Sequence, residues 1–411
     1  MRILVIHDEL YPNTSANARI VYRIVDELLK HNDVEITIMG CAQTHEQFAQ
    51  FYHRCRVIHK PWLKACRYVQ IKKRLKAFKW IRYLLIPQSI LYSVMHPRWE
   101  PRDVEMMRWV YHHRHKYDVI LACSMPFYSI DIASKLSKYI PVVNYYMEPY
   151  WNYLPPRYGK EECISRLWDG SASHVITTDL IRQMYVKYAE KDILQKIVVA
   201  EFPNVFKHDV DITIKHSNKS FNHKINLVFA GKFYPKVRDP QYLFDIMEFI
   251  HAEGIGLTIA GGFNGTFSES YIEKYFSNNI SYINYVGMLS PYEADNLLAS
   301  SSVLVHIGNT KPELLPSKIL DYISMGKPII NLYQHDHCPT LEILADYPLK
   351  INIRVGTPLT LELIQSIVDF CRENCDKQLP FSRIEQLYRK YTPKIVGEIF
   401  YQTLCEANNN K

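Results

Sequence analysis

Short apolar runs alternate with amphipathic stretches along most of the chain, the pattern that builds parallel sheets covered by helices on both faces. Arg2 to His7 opens as a strand, Asp8 to Asn17 is a loop, a helix runs to about His31, and Val34 to Met39 is a second strand. Asp118 to Ala122, Pro141 to Tyr146, His174 to Thr177 and Ile197 to Ala200 continue the series. Helices follow the loop Cys123 to Ser129 and cover Cys163 to Gly170 and Thr178 to Ala189, and Pro203-Asn204 closes this half. Asp209 to His223 is polar, has little to bury and reads as a linker.

Strands resume at Ile225 to Ala230, Gly256 to Ala260, Ile280 to Val286, Val303 to Ile307, Ile329 to Tyr333 and Lys350 to Ile353. The class is therefore α/β: two Rossmann-like, doubly wound domains, 1–205 and 224–380, joined by a linker over 206–223 and facing each other across a cleft. The last amphipathic stretch, Phe381 to Ala407, is expected to pack back across the boundary on the first domain.

With 47% hydrophobic and 22% charged residues, the chain is globular. No apolar run reaches the roughly 20 residues of a membrane-spanning helix, and MRILVIHDELYP lacks the basic and apolar blocks of a secretory signal. The nine cysteines include no C-x-x-C pair, which fits reduced thiols in the cytoplasm and gives no zinc site.

The net charge of +7 is local: eleven cations fall between Arg54 and Arg82, with no Asp or Glu from Gln47 to Trp99. Trp62, Tyr68, Phe78, Trp80 and Tyr83 interleave with them. Segment 54–99 suits an anionic membrane surface, with aromatic rings at headgroup depth. A solvated helix with an apolar core face has the same composition, as does a nucleic-acid contact. The membrane surface is the expected partner, at the inner face of the plasma membrane, and nucleic acid is not.

The most informative stretch is HIGNTKPELLPSKILDYISMGKPII, His306 to Ile330. A buried strand leads through a polar loop to Pro316, which suits a helix start, and Gly326 ends the helix Ser317 to Met325 before the next strand. Free N–H groups at Ser317-Lys318, beside the carboxyl edge of a parallel sheet, form an anion site, and Lys318 adds charge. Asp321, one turn on, would accept from a diol, and phosphate beside a diol describes a nucleotide. An ordinary solvated i,i+3 pair of Lys318 and Asp321 fits the spacing equally.

A second loop, FAGKFYPKVRDP, supports the first reading. Gly231 permits a tight turn, Lys232, Lys236 and Arg238 supply three cations, and Asp239 is the expected N-cap of the next helix. In the first half, Glu148 beside Tyr150 and Trp151 ends a strand with a carboxylate and rings, a surface suited to sugars. No G-x-G-x-x-G is present, against a dinucleotide-dependent dehydrogenase.

Taken together these segments resemble the retaining, metal-independent glycosyltransferases of the GT-B fold, family 4 type. The matching pieces are Tyr11-Pro12, Asp118-Val119-Ile120 with Ser124-Met125-Pro126, Glu148-Pro149-Tyr150-Trp151, Phe202-Pro203-Asn204, Ala230-Gly231-Lys232 with Arg238-Asp239-Pro240, Val286-Gly287-Met288-Leu289, and Pro316-Ser317-Lys318 through Gly326-Lys327-Pro328. The resemblance implies transfer of a sugar from a nucleotide diphosphate sugar to a glycan or polyprenyl-linked acceptor in cell-surface polysaccharide synthesis, with no other cofactor and no metal. It assigns the donor diphosphate to Lys232 with Lys236 or Arg238, aided by Gly231, Pro316, Ser317 and Lys318. The ribose falls to Asp321 and the base to Met288 and Leu289. Acceptor contacts fall to Asn13, Ser15, Asn17, Ser124, Glu148 and Trp151. The chain departs from the family's paired glutamates, carrying Leu314 and Asp321 instead, with Glu313 one place off as the substitute catalytic carboxylate. A family histidine is replaced by Cys123-Ser124-Met125. A non-catalytic glycan-binding or partner subunit and a nucleotide-sugar epimerase are the competing implications.

Overall fold

A computed structural model describes residues 1–7, 15–40, 52–59, 101–124, 128–149, 161–186, 189–210, 223–263, 276, 280–312 and 315–409. The chain divides into two compact units, Met1–Pro203 with Pro393–Lys411, and Asn204–Thr392. The first unit carries β1 (Arg2–Ile6), α1 (Ala16–Leu28), β2 (Glu35–Gly40), β3 (Arg56–His59), α2 (Pro101–His113), β4 (Val119–Cys123), α3 (Tyr128–Leu136), β5 (Val142–Tyr146), α4 (Glu161–Trp168), β6 (His174–Thr177), α5 (Asp179–Tyr185), α6 (Lys191–Leu194) and β7 (Ile197–Val199). The strands form one parallel sheet in the order β3-β2-β1-β4-β5-β6-β7. Its centre is dry: Ile3, Leu4, Val5 and Ile6 are fully buried, as are Val119 through Ala122. That explains why these strands read as continuous apolar runs.

The second unit carries β8 (Ile225–Ala230), α7 (Gln241–Ile250), β9 (Ile255–Ala260), β10 (Ile283–Gly287), α8 (Pro291–Ala299), β11 (Val303–Ile307), α9 (Lys318–Met325), β12 (Ile329–Tyr333), α10 (Pro339–Ile343), β13 (Lys350–Arg354), α11 (Leu361–Asn374) and α12 (Phe381–Leu387). Its parallel sheet is ordered β10-β9-β8-β11-β12-β13. In both sheets the strand order reverses direction once, at β1/β4 and at β8/β11, the crevice where doubly wound sheets take ligands.

The final helix, α13 (Pro393–Asn409), belongs to the first unit and packs on α1. Gly397 makes that approach possible, since a Cβ there would sit 2.4 Å from Glu27 Cβ. Phe400 meets Tyr145 edge-on at 4.9 Å between ring centroids. The end of the chain is thus shared: α12 packs on α9 in the second unit and α13 lies in the first.

Several local expectations shift. Ser15 is the N-cap of α1, accepting from Ala18 N–H at 3.0 Å, so Asn17 lies inside the helix and not in the preceding loop. The expected strand from Ile280 begins at Ile283, because Ile283 N–H turns back to Ile280 O at 3.3 Å. Arg56–His59 is an edge strand, a feature hidden in the sequence by its neighbouring cations. Residues 206–210 of the expected linker belong to the second unit, to which His208 is tied: its Nδ1 is 2.9 Å from Asp295 Oδ2, and its ring lies 4.1 Å from that of Phe206. The remainder of the linker, 211–222, and residues 60–99 of the basic aromatic segment fall outside the described residues.

Candidate functional site

The carboxyl edge of the second sheet opens between β8 and β11. β8 pairs with β9 from Ile225 to Ala230, but with β11 only through Leu227 and Val228. Past Val228 the two strands part, and the N–H and C=O of Ala230 face the gap without a strand partner. Tyr322, reaching in from α9, supplies both bonds: its hydroxyl accepts from Ala230 N–H at 2.8 Å and donates to Ala230 O at 3.2 Å. Burial holds the phenol above its ordinary pKa.

The chain beyond Ala230 is pinned on its other side by β9. Gly231 N–H donates to Ala260 O and Phe233 N–H to Gly262 O, both at 2.9 Å, while Lys232 between them is exposed. This close passage needs glycine across the way: Gly261 has φ +138°, and a Cβ there would lie 1.7 Å from Gly231 O. Tyr234 to Val237 then forms a tight turn closed by Val237 N–H to Tyr234 O at 3.1 Å. Pro235 takes the second position and Lys236 the third at φ +64°, where a type II turn favours glycine.

The turn is fastened to the loop after β11. Thr310 N–H donates to Val237 O and Thr310 Oγ1 to Lys236 O, both at 3.0 Å, and Arg238 donates from its terminal nitrogen to Asn309 Oδ1 at 2.8 Å. Arg238 Nε is sealed from solvent and has no partner among the described residues, and no carboxylate among them pairs with this guanidinium. Burial lowers its pKa, the unfavourable position of a cation short of an anion.

His306, on β11, lies close enough to feel that charge. Its Nδ1 is 3.0 Å from Asn331 Oδ1, which also accepts from Thr340 Oγ1 at 3.2 Å, while Asn331 Nδ2 donates to Asn352 at 2.9 Å. This network puts the proton on Nδ1 and leaves Nε2 as a buried acceptor with no partner among the described residues. Burial, then Arg238, push its pKa down to about 3, so the ring is neutral.

α9 begins differently from expectation. Ser317 is its N-cap in a helical conformation with no side-chain capping bond, and Ile319 N–H and Leu320 N–H close tight turns onto Pro316 O and Ser317 O. Lys318 Nζ lies 3.5 Å from Asp321 Oδ2, but this is no solvated surface pair: Asp321 is 3% exposed. Its Oδ1 accepts from Asn204 Nδ2 at 3.2 Å, which turns Asn204 Oδ1 toward a buried position with no partner among the described residues. At the neighbouring edge, Gly287 ends β10 with φ +74°, and the exposed Met288 lays its sulfur over Gly262 beside the half-buried Leu289.

Neither a family model nor a curated protein matches the sequence. Solved structures do. HepE of Anabaena in complex with UDP and glucose is similar with TM-score 0.62 at 14% identity, over 99% of this chain and 100% of that one. A glycosyltransferase from Rickettsia africae gives 0.61 at 12%, over 100% and 99%. The lipopolysaccharide outer core galactosyltransferase WaaB, in its apo form, gives 0.58 at 11%, over 99% of each chain. The chain has the GT-B fold.

In GT-B terms the second unit gathers Gly231, Lys232, Lys236, Arg238, Pro316, Ser317, Lys318 and Asp321 around one switch point, through bonds that tie the β8 loop to α9 and to the β11 loop. Asp239 is not the N-cap of α7, a place held by Pro240, yet its Oδ1 does accept from Gln241 N–H at 2.9 Å. In the first unit, Ser15, Ser124 and Glu148 follow β1, β4 and β5, adjacent strands, and so share one sheet edge. Ser124 is fully buried and its Oγ accepts from Met147 N–H at 3.0 Å, so it braces the turn carrying the half-buried Glu148 and offers no surface to a substrate. Asn13, Trp151 and Glu313 lie outside the described residues.

Sequence reasoning passed over Asn204, Tyr322, His306 and Asn309 as site residues. A polar residue inside an apolar strand marks His306, and a polar loop straight after that strand marks Asn309. Nothing local marks Asn204, whose partner is 117 positions away. Among the described residues no group of three or more His, Cys, Asp or Glu is arranged to hold a metal ion, and no helix is long and apolar enough to cross a membrane.

Proposed function

We propose that the protein is a retaining, metal-independent glycosyltransferase of the family 4 type, moving a sugar from a nucleotide diphosphate sugar to a hydroxyl of a glycan or lipid-linked acceptor in cell-surface polysaccharide synthesis. The observation that carries this reading is Arg238: a guanidinium at the sheet's switch point with a sealed, unpartnered Nε and no carboxylate beside it among the described residues. A diphosphate supplies the missing acceptor and the missing charge together.

In this reading Lys232 and Arg238, with Lys236 and the Ser317-Lys318 helix start, neutralise the charge that builds on the leaving phosphate. Asp321 and the unpartnered Asn204 Oδ1 receive the ribose hydroxyls, and Met288 and Leu289 flank the base. Glu313 is the assisting carboxylate, and Asn13, Ser15, Asn17, Glu148 and Trp151 meet the acceptor. The UDP and glucose of the Anabaena HepE complex make uridine nucleotides the first donors to try. Work at the cytoplasmic face of the membrane, through segment 54–99, completes the proposal.

Thermal shift and calorimetry with UDP, GDP, ADP and CMP test it, followed by a donor-hydrolysis screen on wild type, Lys232→Ala and Asp321→Ala. Binding of one diphosphate, lost in Lys232→Ala, is expected. Silence from all four nucleotides would favour a non-catalytic subunit, and a changed sugar released without acceptor would favour an epimerase.

A further inference from the structure

The first unit holds a cavity of about 410 Å³ at the opposite edge of its sheet, where the strands begin. Its wall comes from separate parts of the chain: Arg2 opens β1, Val34 to Thr37 enter and begin β2, Arg54 and Arg56 enter and begin β3, and Lys116 and Tyr117 precede β4. The register fixes the grouping, with Arg2 opposite Glu35 and Thr37 opposite Arg56. Four cations therefore meet one lining carboxylate, Glu35.

Two of the cations are committed. Arg2 forks onto Asp118, with its terminal nitrogen 2.8 Å from Oδ1 and Nε 3.3 Å from Oδ2, and Arg54 donates to the Leu29 carbonyl. Arg56 and Lys116 are exposed and have no partner among the described residues. The floor beneath them is formed by the buried Val34, Ile36, Thr37 and Tyr117, and the Tyr117 hydroxyl bonds Thr37 within range of the Arg56 charge. Two exposed cations without a partner among the described residues, over a buried floor, match an anion of about two charges whose oxygens accept several hydrogen bonds.

We infer that this cavity is a second anion site, separate from the strand ends where acceptor contacts are expected, and that its ligand is a phosphomonoester or diphosphate group. Such a group arrives either on a lipid headgroup or on a soluble molecule. The inference uses no residue of the second unit and so is independent of the nucleotide-sugar reading; Arg54 and Arg56 belong to segment 54–99, so the lipid source alone rests on the proposed membrane contact of that segment.

The test uses the full chain with Lys232→Ala, which weakens the proposed donor site, and adds Arg56→Gln with Lys116→Gln. Both added positions are exposed, so the melting temperature should hold. Calorimetry with inorganic pyrophosphate should show about a tenfold loss of affinity in that pair. A control pair on the same unit, Lys138→Gln with Lys191→Gln, removes equal charge and should bind as the parent does. Flotation with phosphatidylcholine vesicles, with and without phosphatidic acid, separates the sources. Phosphatidic acid-dependent flotation lost in the cavity pair assigns a lipid headgroup. Loss of pyrophosphate binding without any flotation effect assigns a soluble phosphate. If the cavity pair changes neither readout, or the control pair lowers both equally, the site does not exist.

Discussion

Tyr322 and Ala230, 92 positions apart, are joined by two hydrogen bonds through one hydroxyl, 2.8 Å from Ala230 N–H and 3.2 Å to Ala230 O. The side chain stands in for the strand that β11 fails to provide beyond Val228, and so fixes the loop bearing Lys232 to the helix bearing Asp321. Tyr322→Phe keeps the ring and leaves two buried backbone groups unpaired, at a cost of about 1–3 kcal/mol by chemical denaturation. Binding of UDP should weaken while binding of uridine is unchanged. An equal loss for both would make Tyr322 a general support of the fold.

Lys236 sits at φ +64°, where a side chain is strained and glycine is not. Lys236→Gly should therefore raise stability, by up to about 1 kcal/mol once the added freedom of the unfolded chain is offset. The same change removes a cation from the proposed diphosphate loop, so donor binding should fall as stability rises. A variant with unaltered affinity would take Lys236 out of the site.

Gly261 passes so close to Gly231 that an added Cβ would lie 1.7 Å from a backbone oxygen. Backbone cannot yield as a side-chain tip can. Gly261→Ala should cost about 2–4 kcal/mol in the second unit and abolish nucleotide binding even where the protein folds. Gly254→Ala is the comparison: its φ is also positive, at +77°, but nothing lies within 4 Å of the added carbon, so only stability should fall.

His306 is neutral in the folded protein, with a pKa of about 3 against an ordinary 6.5. Between those values the unfolded chain binds a proton that the native state does not. Stability is therefore complete above pH 6.5 and falls as pH drops toward 3, by up to about 1.4 kcal/mol per unit. Asp169, in the first unit, has the opposite sign: burial raises it from 3.8 to about 6, so its contribution is greatest in acid and is lost as pH rises through that window. Acid titration of His306→Asn should flatten the second unit's decline, and a wild-type slope retained in that variant would locate the proton elsewhere.

The buried strands were legible because a parallel sheet covered on both faces leaves no alternation to decode, as in Ile3 to Ile6 and Val303 to Ile307. Gly231, Lys232, Arg238 and the Pro316-Ser317-Lys318 turn could also be read directly, because loops at strand ends carry local signals of glycine, proline and charge. The sequence by itself thus determined two doubly wound sheets and which loops carry the cations. Only the tertiary structure decided that Asp321 is buried against Asn204, that Ser124 is a brace, that Asn17 is helical, and that a tyrosine closes the gap between β8 and β11. Periodicity reports which face of an element is apolar. Hydrogen bonds spanning ninety or more residues depend on where two such elements meet, and no local pattern records that.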